Sequence, residues 1–167
     1  SQGVITNFNG TLWTQQSYFD YLREHDRTFA GYYQDDLWVF GYFQDMHTDS
    51  VASHIHELSA FFDDVSTGNL ADFTWLQPRS SVHAVNRQPT WQHPDAAVSR
   101  GEALIKDVYE AIRAGPKWEE TLFLITYDEH GGFYDHVVPP YTEVPAPDAS
   151  VAPNGFAFNQ LGVRIPT

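Results

Sequence analysis

Thr121-Leu122-Phe123-Leu124-Ile125-Thr126-Tyr127-Asp128-Glu129-His130-Gly131-Gly132-Phe133-Tyr134-Asp135-His136-Val137-Val138-Pro139-Pro140 is the stretch on which the reading of this chain turns. Leu122 to Thr126 is apolar and rich in β-formers, which predicts a strand buried in a sheet covered on both faces. Charge ends it at once, with Asp128, Glu129 and His130 ahead of the flexible Gly131-Gly132 pair. Carboxylates at the carboxyl end of a buried strand occupy the place where open α/β sheets keep their ligand sites.

The segment before this one sets the architecture. Pro94 and Asp95 open an amphipathic helix with Leu104, Ile105, Val108, Tyr109 and Ile112 on one face, and Gly115-Pro116 ends it. Such a helix feeding the Leu122 strand is an αβ unit of a parallel sheet. Further upstream, Thr14 caps an expected helix through His25 with Phe19 and Leu22 inward, followed by a strand over Thr28 to Gln34 that ends in Asp35-Asp36. Asp49 or Ser50 caps a second helix carrying Val51, Ile55, Leu58 and Phe62, which stops near Gly68. His54 and His56 fall on different faces of that helix. Phe73 to Leu76 reads as a strand closed by Pro78, and Ser80 to Gln92 as a surface loop. After Pro140 a proline-rich excursion leads to renewed strand character over Phe156 to Ile165, where Arg164 is the one cation.

Composition narrows the function. The 167 residues carry a net charge of −13, which argues against a nucleic-acid partner, since backbone binding needs an excess of Lys and Arg. No cysteine is present, so disulfides and thiolate zinc sites are excluded. No apolar run approaches membrane-spanning length, and the first residues lack the basic-then-apolar order of a signal peptide. A start at Ser1 and an ordered pattern running to Pro166-Thr167 lead us to expect one domain, residues 1–167, cut at both ends. The Asn9-Gly10-Thr11 sequon is weak support for secretion.

On residue chemistry alone Asp128 and Glu129 admit two readings. Adjacent oxygen donors suit a hard or borderline divalent cation, and equally they suit a charged loop after a strand with Gly-Gly making the turn. The run Ile125 to Val137, however, resembles the hallmark segment of the phosphoesterase family, which includes non-specific phospholipases C and acid phosphatases. Trp75-Leu76-Gln77-Pro78-Arg79 resembles that family's Glu-Pro-Arg-like turn with Gln77 in place of the acid, and His93-Pro94 resembles its His-Pro helix start. Gly162-Val163-Arg164-Ile165-Pro166 has family character as well.

The resemblance implies an alkaline-phosphatase-like α/β fold, incomplete in this chain, with a mostly parallel sheet flanked by helices. It implies metal-assisted hydrolysis of phosphate esters, with a phospholipid or a small phosphate ester as substrate and a secreted or membrane-peripheral setting. It places the catalytic divalent metal, of unspecified identity, on Asp128 and Glu129, and an active-site histidine at His93. His56 corresponds to a further histidine of plant-like members, and Asp135 and His136 to residues that orient ligands or the loop. Two departures stand against a full site. Members carry a Glu-Asn pair and an Arg-Ser-Phe-Asp-His run that supply other metal ligands, and neither these nor a mapped Ser or Thr nucleophile is found here. The competing readings are therefore an inactive homologue kept as a binding module and, more remotely, a sulfatase-like hydrolase. Pro139 to Asn154 is the expected selector between lipid and soluble substrates.

Overall fold

A computed structural model describes residues 13–35, 43–44, 53–80, 88–94, 96–141 and 151–167. The Asn9 sequon, Asp36, the cap at Asp49 or Ser50 with Val51, Asp95, and most of the Pro139 to Asn154 loop lie outside those residues. The chain forms two compact units, one over Gly10–Phe123 and one that includes Leu124–Thr167.

The first unit is built on three parallel strands in the order β2-β1-β3. Strand β1, Phe29–Tyr33, is central. Strand β2, Ile55–Glu57, pairs on one side with Gly31 opposite Ile55, and β3, Phe73–Gln77, on the other with Phe29 opposite Phe73. Because both edges and both faces of β1 are covered, Phe29 through Tyr32 is buried without interruption, as expected of a strand inside a parallel sheet. Successive side chains alternate between faces. Phe29 packs with Phe19 and Leu22 of helix α1, Tyr18–Glu24. Ala30 and Tyr32 pack with Leu58, Phe61 and Val65 of α2, Leu58–Thr67, and with Val108 and Ile112 of α3, Val98–Ala114. This is a small α/β layered fold with helices on both faces of the sheet.

Local chemistry explains several boundaries. Ser17, not Thr14, starts α1, its hydroxyl accepting from the Asp20 N–H at 3.1 Å. Asp72 ties the start of β3 to β1, its carboxylate accepting from the Thr28 N–H at 2.9 Å and from the Thr28 hydroxyl at 3.0 Å. The Tyr32 hydroxyl donates to Asp64 at 2.6 Å, so the one polar atom this side chain carries inward is satisfied. Burial, reinforced by that bond and by the Asp64 charge, pushes the Tyr32 hydroxyl well above the ordinary tyrosine range.

Three expectations require correction. Ile55–Glu57 is a strand rather than a helical turn, so His56 sits in β2 opposite Tyr32. The β-branched Ile55 had an edge of β1 to pair with, and pairing outweighs helical spacing. Helix α3 begins at Val98, five residues after His93, behind a turn in which the Ala96 N–H donates to the His93 carbonyl at 2.7 Å. Finally, neither Leu122 to Thr126 nor Phe156 to Ile165 forms a strand among the described residues. Leu122 is 89% exposed and Leu124 64%, while Phe123 alone of the run packs on the α2–α3 core. An apolar β-prone run becomes a strand only where another strand's edge receives it. In the downstream segment a left-handed Phe158, φ 51°, interrupts the extended path.

Candidate functional site

In the unit that includes Leu124–Thr167, the hallmark runs without helix or strand to a bend at Asp128-Glu129. Both carboxylates are exposed, and Glu129 Oε2 lies 3.2 Å from His130 Nδ1. That nitrogen makes no hydrogen bond among the described residues. Gly131 and Gly132 then take φ values of 70° and 74°, left-handed positions that any side chain would strain, and the Phe133 N–H closes the turn on the His130 carbonyl at 3.3 Å.

Asp135 is the best-anchored residue of the loop. One oxygen accepts from Arg164 Nε and the other from Arg164 Nη2, both at 2.8 Å, a paired fork that fits the planar guanidinium. The Val137 N–H donates to the same carboxylate at 3.0 Å. The Arg164 bonds, followed by the Val137 N–H, hold the Asp135 carboxyl at about 2, well below the usual carboxylate range. His136 Nδ1 stands 3.5 Å from Asp135, with its ring mostly in solvent. Arg164 stood out in the sequence as a lone cation in an apolar, acid-poor run, and the structure supplies the partner that spacing could not name.

In the first unit the two predicted histidines are held separately. His56 lies half-buried on β2 with its ring 5.7 Å from that of Tyr32. His93 is exposed in the loop before α3, stacked on Trp91 with ring centroids 4.7 Å apart. The carboxyl ends of β1 and β3 also carry a network that the sequence did not reveal. Gln34 Oε1 accepts from the Arg79 N–H at 3.1 Å and from the Thr90 hydroxyl, and the Gln34 N–H donates to the Gln77 carbonyl at 3.3 Å. Gln77, which replaces the acid of the family turn, is buried and accepts from Trp75 Nε1 at 3.3 Å.

A model of the Phosphoesterase family matches residues 5–167. The chain belongs to the phosphoesterase family. It is 40% identical to non-specific phospholipase C5 of Arabidopsis thaliana, across all of this chain and 33% of that protein. With non-specific phospholipase C6 of the same plant it shares 38% identity, covering 92% of this chain and 30% of the relative. Phospholipase C B of Mycobacterium tuberculosis is 31% identical over 64% of this chain and 21% of its own length. The chain thus spans about a third of the length of the plant relatives it matches.

The donor chemistry of this phosphoesterase chain suits a hard cation, since Asp128 and Glu129 offer oxygen ligands on neighbouring residues. The donor number does not complete a coordination sphere. Among the described residues no three His, Asp or Glu side chains cluster as a metal site would require. Among those residues, too, no helix is long and apolar enough to cross a membrane.

Proposed function

We propose that this chain carries part of the catalytic site of a hydrolase acting on phosphoric ester bonds, of the phospholipase C or acid phosphatase kind. The observation that carries the reading is the hallmark itself. Two adjacent carboxylates sit on a bend set by a left-handed Gly-Gly turn and by the Asp135–Arg164 fork, inside a chain whose plant relatives are named non-specific phospholipases C. Asp128 and Glu129 are two of the oxygen donors to a divalent cation, and the remaining donors come from outside the described residues. Such an ion, when bound, polarises a phosphoryl oxygen. Asp135, neutralised by Arg164, holds the turn without adding a further net negative charge beside the pair. The family resemblance, rather than its geometry, assigns His93 the role of giving a proton to the leaving oxygen. No step is drawn through His56, whose ring is packed beside Tyr32.

The test is turnover of phosphatidylcholine and of a phosphomonoester by the protein, with and without a chelator. Asp128→Asn is expected to lower metal-dependent turnover by about a hundredfold or more, as removal of a charge-stabilising group does. Full turnover in that variant would refute the metal assignment. A second reading, a non-catalytic homologue acting as a binding module, is favoured by the lack of a third donor among the described residues. It predicts no turnover in any metal.

A further inference from the structure

The carboxyl edge of the sheet in the first unit carries a feature that the carboxylate pair does not use. A cleft of about 430 Å³ opens there, lined by Gln34 beyond β1, Arg79 beyond β3, Gln88 and Thr90 of the next loop, and Arg100 and Asp107 of α3. That volume is in the range of small-molecule sites, and the place is where parallel sheets bind ligands.

Arg79 is set in advance. Its backbone N–H donates to Gln34 Oε1 at 3.1 Å and to Thr90 Oγ1 at 3.0 Å, and its Nη1 donates to the Gln88 carbonyl at 3.1 Å. Its Nε is buried with no hydrogen-bond partner among the described residues. A buried cationic N–H without an acceptor is unfavourable, so the Arg79 guanidinium carries unmet hydrogen-bonding capacity beside the cleft. Arg100, exposed in the first turn of α3, faces the same space. Two of the nine Lys and Arg residues of a chain with net charge −13 therefore line one small cleft. Among the described residues Asp107 is the single carboxylate in its lining, and the cations there outnumber it two to one.

We propose that this cleft is an anion subsite, in which Arg79 and Arg100 take the phosphate group of an organic phosphate. Guanidinium groups suit that role because their fork of N–H donors matches phosphate oxygens and stays charged. Only the choice of phosphate over another anion rests on the hydrolase reading; the cleft itself stands on its own geometry. A lipid headgroup and a soluble ester offer the same group.

Calorimetric titration of the full chain with inorganic phosphate, and separately with phosphatidylcholine vesicles containing phosphatidic acid, tests the assignment. The chain should bind phosphate. With a chelator present, Arg100→Gln should weaken this about tenfold and Arg79→Gln at least as much, since one charge-assisted bond is of that order, while Lys117→Gln, at a surface cation paired with Glu120 outside the cleft, should change nothing. Circular dichroism checks the fold of the Arg79 variant, and the exposed Arg100 keeps the test decisive if that variant unfolds. Absence of phosphate binding, wild-type binding by both arginine variants, or an equal loss in Lys117→Gln would overturn the proposal. Parallel loss of vesicle binding in Arg100→Gln assigns the site to a headgroup, and loss with free phosphate alone assigns it to a soluble ester. Turnover by Asp128→Asn bears on the metal pair, while these titrations are made with chelator present, so the two readings fail separately.

Discussion

The two units of the chain are held together by different physics. Among the described residues of Gly10–Phe123 ten hydrophobic side chains are buried in two clusters against the sheet, whereas among those of Leu124–Thr167 Ala152 alone is buried. The second unit relies instead on directional bonds. These are the Asp135–Arg164 fork, Gln160 Nε2 donating to the Pro139 carbonyl at 2.8 Å, and the Tyr127 N–H donating to the Pro166 carbonyl at 3.2 Å. Apolar burial is non-directional and makes a scaffold, while polar ties place particular atoms. The family hallmark lies in the polar-tied unit, in keeping with function residing on loops whose geometry a few bonds define.

The contrast breaks first in the core. Phe61 is 1% exposed beneath the sheet, and Phe61→Ala should cost about 3–5 kcal/mol of stability, whereas Leu122→Ala, at a side chain almost wholly in solvent, should change it by less than about 0.5 kcal/mol. Urea denaturation of both variants measures this, and a large loss at Leu122 would mean that the run is packed after all. A smaller effect is expected where the loop before α3 meets the helix. A Cβ on Gly101 would lie 2.9 Å from the Thr90 carbonyl and 2.3 Å from Gln92 Cγ. The glutamine side chain can move aside and the carbonyl cannot without shifting the backbone, so Gly101→Ala should cost about 1–3 kcal/mol by the same measurement.

The subtlest test sharpens the polar side. Asp135 titrates at about 2 because Arg164 favours its charged form. A depressed folded-state value means that the carboxylate's contribution is fully present above the ordinary unfolded value near 4 and is lost as pH falls through about 2. Carboxyl NMR of the wild type should therefore show this late titration, and Arg164→Gln should return the midpoint toward the unperturbed range. An unchanged midpoint would show that the fork does not persist in solution.

Much of the first unit was legible in residue pattern. Phe19 and Leu22, the strand over Thr28 to Gln34, Phe73 to Leu76, and the α3 face with Val108 and Ile112 all follow from local periodicity, since a helix or strand writes its buried face into its own spacing. The hallmark was legible too, because a long contiguous motif identifies a family whatever its local conformation. What tertiary structure decided was every feature that needs a partner distant in sequence. Ile55 pairs with Gly31 and becomes a strand against its helical spacing. Leu122 to Thr126, equally β-prone, forms none, because a strand is a property of two segments. Arg164 finds Asp135 across 29 residues and Arg79 finds Gln34 across 45, pairings for which sequence carries the charges and hydrogen-bonding groups but not the distances.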